Sequence, residues 1–211
     1  MLKELLICTH NAGKTREITA LLEDLPIRLW TAREIPDLPE PVEDAETFLG
    51  NAQIKARSAW KHTGLPSLAD DSGLIVPALG GLPGVHSAYY AGVTGPDKDK
   101  ANRKKLLSAI RDLSFEQRKA SFVCTLVLRL GEQEAIFEGR CDGVLITEER
   151  GENGFGYDPV FLWPETGQTL AEIPITAKGA ISHRARALQA FRRWLQDPAK
   201  KNLLSPTTQS I

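Results

Sequence analysis

Apolar and polar positions along this chain switch between a period of two and a period near 3.6, and the switches mark out an α/β protein. Leu5, Leu6, Ile7 and Cys8 form a short apolar run; after the turn residues His10, Asn11, Ala12 and Gly13, apolar positions recur as Ile18, Leu21, Leu22 and Leu25. That is strand, tight turn, helix. A second short strand is expected over residues 27–30, after which Pro36, Pro39 and Pro41 stiffen an acidic loop carrying Asp37, Glu40, Glu43 and Asp44. From about 45 to 62, Phe48, Ala52, Ala56, Ala59 and Trp60 share the face of an amphipathic helix that ends before Gly64 and Pro66. An apolar strand follows, with Asp70-Asp71-Ser72-Gly73 directly after it, near a sheet edge.

Residues 79–96 carry five glycines and two prolines and read as loop. Asp97 is placed to cap a helix reaching about Arg111, whose Lys98, Lys100, Arg103, Lys104 and Lys105 read as a solvated face. Residues 122–130 and 135–146, rich in Val, Ile, Leu and Phe and split by Gly131, predict a long antiparallel hairpin as the backbone of the sheet. Ser182 caps a last helix with Leu188, Phe191 and Leu195 on one face, stopped at Asp197-Pro198. Residues 199–211 are expected to be a poorly ordered tail. With no repeat, low-complexity tract or Gly/Ser linker, residues 1–198 read as one α/β domain built on a mixed sheet.

Composition narrows this further. The 211 residues are 42% hydrophobic, enough for a core that buries roughly 70% of the unfolded surface. Lysine plus arginine number 26 against 27 acids, so the net charge of −1 excludes binding to nucleic acid or anionic membrane by bulk attraction. Cys8, Cys124 and Cys141 are odd in number, far apart and without a C-x-x-C, which argues against a disulfide frame or zinc cage and for buried thiols in a reducing compartment. The N-terminal apolar run is too short for a signal peptide or membrane span, and a cytoplasmic location is expected.

Four segments could carry chemistry. Thr9-His10-Asn11-Ala12-Gly13-Lys14 places a turn and a lysine between strand and helix, where backbone N–H groups and the helix dipole attract phosphate. It is not a Walker loop, because the position five residues before Gly13 is Cys8 rather than glycine. An ordinary βα turn with a surface lysine is the bland alternative. In Asp70-Asp71, neighbouring acids on a strand point to opposite faces, so only one can enter a given site and the other is structural. A carboxylate facing a pocket can bind magnesium or take a proton from water; a capped turn is the competing reading. In Gly154-Phe155-Gly156-Tyr157-Asp158-Pro159 the glycines free the backbone and the aromatics offer a shelf for base stacking, unless they are core residues at a bulge. Lys178 and Ser182-His183-Arg184 concentrate donors at a helix start, where they can read carbonyl oxygens or decorate the surface. Jointly, Lys14, Lys55 and Lys178 supply cations, Asp71 a metal or base ligand, Phe155 a stacking face and His183-Arg184 base donors. The set fits a nucleoside triphosphate.

On these residues the chain resembles the inosine triphosphate pyrophosphatase family. The matching segments are Thr9-x-Asn11-x-x-Lys14-x-x-Glu17, Asn51-x-x-x-Lys55-Ala56, Ala69-Asp70-Asp71-Ser72-Gly73-Leu74, Gly80-Gly81-x-Pro83-Gly84-Val85, Gly154 to Pro159, and Ser182-His183-Arg184, in order from about Leu5 to Leu195. The resemblance implies an elongated mixed β-sheet flanked by helices, two lobes with a central cleft, a homodimer, and Mg2+-dependent hydrolysis of ITP, dITP and XTP to monophosphate and pyrophosphate. It further implies that Thr9, His10, Asn11, Ala12, Gly13 and Lys14 hold the triphosphate with Lys55. Asp71 would be general base and metal contact, with Glu43, favoured over Glu40, as second metal ligand. Ser72, Phe155, Gly156, Tyr157, Asp158, Lys178, His183 and Arg184 would line the nucleotide site. The family usually has arginine where Tyr89 stands and glutamate where Gly50 stands; if those two pair with each other, loss of both removes an ion pair rather than stranding a charge. A nucleotide-binding regulatory module without turnover is the alternative reading, with Asp71, which binding alone does not require, as the discriminator. A GTPase or kinase would instead direct attack to the γ-phosphate.

Overall fold

The computed structural model describes residues 2–174, 177 and 181–200. One open, seven-stranded mixed sheet runs through the molecule, made of β1 (Glu4–Ile7), β2 (Arg28–Thr31), β3 (Ser67–Ile75), β4 (Lys119–Leu130), β5 (Gln133–Leu145), β6 (Phe161–Trp163) and β7 (Gln168–Thr169) in the order β2-β1-β3-β4-β5-β6-β7. The β1 strand pairs parallel with β2 and β3, and every later pairing is antiparallel. The expected hairpin is β4–β5, joined by two residues and paired from Lys119↔Val144 to Leu130↔Gln133. At twelve and thirteen residues these strands span both ends of the sheet.

Burial on both faces explains the unbroken apolar run of β1. Leu5 and Ile7 join Ile18, Leu22, Leu68, Leu126, Leu188 and Phe191 under α1 (Ala12–Leu22) and α4 (His183–Gln196). Leu6 and Cys8 face the other way, against Ala52, Ala56 and Ala59 of α2 (Phe48–Thr63). Small alanines let that helix lie close to the sheet. At the far end, α3 (Lys98–Ile110) covers a separate core of Leu74, Val76, Phe122, Leu145, Val160 and Phe161 with its Leu106 and Ile110. Separate cores thus lie at the two ends of the sheet.

Several expected boundaries move. The α2 helix begins at Phe48 rather than near 45, because the Thr47 hydroxyl accepts the Gly50 N–H at 3.0 Å and caps it there. Asp97 does hold the N-cap position of α3, but its side chain makes no capping hydrogen bond. Asp70 and Asp71 lie within β3, not after it, and β3 is an internal strand. The expected sheet edge exists locally, since β1 pairs with β3 only at Ser67 and Leu68 and residues 69–74 have no strand partner on that side before Ile75 bridges Pro83. Of the tail expected after 198, residues 201–211 lie outside the described residues, while 198–200 form a short 3-10 turn.

Candidate active site

The open stretch of β3 forms the floor of a cleft of about 1360 Å³, bounded by the β1–α1 turn, the acidic loop before α2, the 82–90 segment, the Phe155 loop and the start of α4. Side-chain alternation sends Asp70 and Asp71 to opposite faces, as expected of adjacent strand residues.

On the α2 side, a chain of contacts explains the Asn51-x-x-x-Lys55 spacing. The buried Asn51 side chain accepts the Ala45 N–H at 3.0 Å and so ties the acidic loop to the helix. One turn later, Lys55 Nζ reaches Glu43 Oε2 at 2.7 Å and Asp71 Oδ1 at 3.1 Å. Burial alone would depress the Lys55 pKa, but Asp71 and Glu43 overcome it and hold the ammonium above its ordinary range. Asp71 Oδ2 is buried with no hydrogen-bond partner among the described residues. Burial raises the Asp71 pKa above the usual carboxylate value; Lys55 and Lys14 oppose this, and the like charge of Glu43 adds to it.

On the other face, Asp70 is completely enclosed. It pairs with Lys14, accepts from Arg184 Nε at 2.9 Å and from Cys124 Sγ at 3.1 Å, and its Oδ1 takes the Ser72 hydroxyl at 3.0 Å. Burial would raise its pKa, yet Arg184 and Lys14 hold it well below the carboxylate range. Asp70 is the structural acid. Arg184, also buried, pairs further with Glu17 and donates from Nη2 to Ser72 Oγ at 2.9 Å. Its guanidinium thus holds the floor together and sits 5.9 Å from the centre of the Phe155 ring.

The β1–α1 turn corrects one expectation. The backbone N–H groups of Gly13 and Lys14, read as open to phosphate, are taken by Asn11 Oδ1 at 2.9 and 3.1 Å, while Thr9 Oγ1 accepts the Asn11 N–H at 3.2 Å. The Asn11 side chain is an N-cap that shields them. Thr9, His10, Asn11 and Lys14 line the cleft, with Ala12 exposed in the same turn. Gly13 supports the Phe155 ring from beneath. Beside that turn, Phe155, Gly156, Tyr157 and Asp158 line one wall with His183, whose ring stacks on Phe122 at 4.9 Å. Asp158 Oδ2 accepts the Phe155 N–H at 3.0 Å, and the Tyr157 hydroxyl donates to Ser87 O at 2.9 Å, so these two shape the loop. Lys178 lies outside the described residues.

Residues in and behind the cleft wall that no site role was expected of also shape it. Glu17 balances Arg184 from α1. Gly139 of β5 lets the start of α4 touch the sheet: a Cβ there would stand 2.5 Å from Ala187 N, and closer to the His183 carbonyl. Arg103, read as part of a solvated face, instead donates from Nη1 to Gly156 O at 2.9 Å. Nothing in the local pattern signals these contacts, because their partners lie tens of residues away. Where the family pattern is broken, Tyr89 lines the cleft with Lys98 Nζ 5.0 Å from its ring centre. Gly50 sits in the first turn of α2, where a Cβ would meet Ala45 Cβ at 2.6 Å.

With Asp71, Lys55 and Glu43 on one side of a shared cleft and Phe155 and His183 on another, comparison with known proteins becomes decisive. The sequence profile of the Ham1 family matches residues 5–194. The chain belongs to the Ham1 family. Among relatives, the dITP/XTP pyrophosphatase of Geobacter sulfurreducens is 48% identical over 89% of this chain and 94% of its own. That of Geobacillus kaustophilus is 47% identical over 89% and 91%. The Ham1 fold is shared with a solved HAM1 protein from Coxiella burnetii, with TM-score 0.83 and 41% identity over 93% of this chain and 99% of that one. The Ham1 protein of Staphylococcus aureus gives 0.80 and 35% over 92% and 98%. As in those Ham1 structures, the mixed sheet here is open and flanked by helices. The three cysteines are free and buried, and no helix among the described residues is long and apolar enough to cross a membrane.

Proposed function

We propose that residues 1–198 work as one two-lobed dITP/XTP pyrophosphatase that hydrolyses non-standard purine triphosphates to monophosphate and pyrophosphate. Relatives bearing that name match about nine-tenths of the chain. One observation carries the chemical reading: Asp71 keeps a buried carboxylate oxygen with no hydrogen-bond partner among the described residues, at the floor of a cleft that also presents an aromatic ring and a histidine.

The charge balance bears on a metal. On and beneath the cleft floor, Lys14, Lys55 and Arg184 face Glu17, Glu43, Asp70 and Asp71, so three cations meet four carboxylates. A triphosphate brought here needs additional positive charge. No group of three or more His, Cys, Asp or Glu among the described residues could hold an ion alone. Two hard carboxylates completed by phosphate oxygens and water are the usual protein share of a Mg2+ site, so the residues fit. Asp71, through Oδ2, and Glu43 would hold it. When bound, Mg2+ neutralises phosphate charge and lowers the pKa of a coordinated water.

The chain's own residues divide the remaining work. Lys14 and Lys55, with Thr9, His10 and Asn11, orient and neutralise the triphosphate, and Lys178 is assigned to the same binding site from its sequence position. Asp71, its pKa raised by burial, accepts the proton of the attacking water. Water oxygen bonds to the α-phosphorus, the bond to the bridging oxygen breaks, and pyrophosphate leaves. Positioning and electrostatics supply most of the acceleration. Ser72 and Gly156 to Asp158 shape the nucleoside pocket, and Phe155 stacks the base over Arg184. His183 reads the C6 oxygen of hypoxanthine or xanthine. Adenine offers an amine there, and donor against donor costs about 1–3 kcal/mol per unpaired group.

A homodimer acting in the cytoplasm, with no nucleic-acid partner, completes the reading. Its supports are the family resemblance, the free thiols and the near-zero net charge. Light scattering of the purified protein tests the dimer. The deciding experiment supplies dITP, XTP, dATP and dGTP with Mg2+ in ¹⁸O-water. Pyrophosphate with label in the monophosphate is expected from dITP and XTP; orthophosphate, or no product, overturns the reading.

A further inference from the structure

The helix whose basic residues read as a solvated face turns two charged side chains inward. Asp99 Oδ2 accepts the Gly156 N–H at 3.0 Å, and Arg103 Nη1 donates to the Gly156 carbonyl at 2.9 Å. Four residues apart, the two lie on one face of α3 and reach the same glycine. Gly156 has φ +62°, a left-handed conformation that a residue with a Cβ adopts only at a cost. The peptide units before and after Gly156 are therefore both tied to α3, which sets the dihedral angles between them.

The clamp itself is anchored. Arg103 Nε pairs with Glu149 at 3.0 Å, and Leu106 and Ile110 root the helix in the core beneath. Between the two clamp residues, the buried Asn102 donates from Nδ2 to Ala88 O at 3.1 Å and accepts the Ala91 N–H at 2.7 Å. One helix thus holds the Phe155 loop and the 87–91 segment, two separate stretches of the cleft wall.

We propose that Asp99 and Arg103 are positioning residues for purine recognition. By fixing both peptide units of Gly156 they aim the neighbouring Phe155 ring at the bound base. This rests on the reading that Phe155 stacks the base. The clamp is absent from the Lys55–Asp71–Glu43 cluster, so its effect falls on nucleoside binding more than on bond cleavage.

The test compares Asp99→Ala and Arg103→Met with the conservative Asp99→Asn and Arg103→Lys, measuring kcat and KM for dITP and dATP, melting temperature, and hydrogen exchange of residues 154–158. Asp99→Ala is expected to raise KM for dITP about ten-fold while lowering kcat less than about three-fold, as loss of a ground-state contact does. Exchange at 154–158 should speed up and selectivity against dATP should narrow. Asp99→Asn, which keeps an oxygen acceptor, should restore most of both. If Asp99→Ala does not fold, Arg103→Met carries the same expectation. An unchanged KM overturns the proposal, as does a lower melting temperature with no change in exchange at 154–158. If the wild-type protein fails to hydrolyse dITP, the functional reading falls instead. Exchange then judges the clamp alone: faster exchange upholds the aiming of Phe155, and unchanged exchange overturns it.

Discussion

The Phe155 ring lies so close over Gly13 that a Cβ on residue 13 would stand 2.8 Å from Phe155 Cδ1 and 2.9 Å from Cε1. Glycine in the first turn of α1 is thus required by the approach of the ring, and both backbone donors nearby already belong to Asn11. Gly13→Ala removes a glycine from a helix, which by itself stabilises by roughly 0.5–1 kcal/mol. The ring must give way, however. Thermal unfolding of Gly13→Ala should lie within about 3 °C of wild type, while KM for dITP rises about ten-fold. In a Phe155→Leu background the same substitution should have little further effect, because the residue it displaces is gone. Additive losses in KM would contradict the coupling.

The buried pairing of Asp70 with Arg184 and Lys14 makes a different prediction, about stability. Asp70→Asn leaves Arg184 enclosed with only Glu17 as counter-charge, and breaking one partner of a buried pair costs about 3–5 kcal/mol. Because the folded pKa of Asp70 is held below its unfolded value, its contribution is fully present above about pH 4 and is lost as pH falls through the folded value. Urea unfolding across pH should therefore show a constant gap between wild type and Asp70→Asn from about pH 5 to 7, narrowing below about pH 4. A gap that widens in acid would refute the assignment.

These two cases show which parts of the fold were legible in the chain. The Leu5–Cys8 run and the β4–β5 hairpin could be read because buried strands leave apolar runs that are visible in one dimension. The β3 strand could not be outlined, since Asp70, Asp71 and Ser72 interrupt its apolar pattern; Asp70 tolerates burial only through partners at positions 14, 124 and 184. Side-chain alternation correctly separated the two acids. It did not show that Asn11 would occupy the turn amides, nor that Arg103 would leave the solvated face for Gly156, because both depend on which loop the third dimension brings near. The acidic loop offered both Glu40 and Glu43, the resemblance favoured Glu43, and the link of Glu43 to Lys55 follows from Asn51 holding the loop.

Glu43 and the metal are tested by titration. EDTA should abolish dITP hydrolysis, and added Mg2+ should restore it. Glu43→Gln removes one of two hard carboxylates and should raise the Mg2+ concentration for half-maximal rate by about ten-fold or more, with kcat at saturating Mg2+ falling less. Glu40→Gln, on the same loop, serves as the control. If Glu40→Gln shifts the Mg2+ requirement and Glu43→Gln does not, the ligand has been misassigned.

Asp71 and Lys55 together set the acid limb of the rate profile. Asp71 must be ionised to accept a proton, and burial raises its pKa above the ordinary value, so kcat/KM should fall as pH drops through a pKa above ~3.9. Lys55, 3.1 Å from Asp71, favours the ionised form and opposes that rise. Lys55→Met removes this opposition, and the acid limb should then move to higher pH even after the overall loss of rate is normalised out. Asp71→Asn should erase the limb and lower kcat by about 10²-fold or more while the protein still binds the nucleotide. A limb that stays in place in Lys55→Met, or survives in Asp71→Asn, would assign the titration to another group and remove Asp71 from the proton transfer.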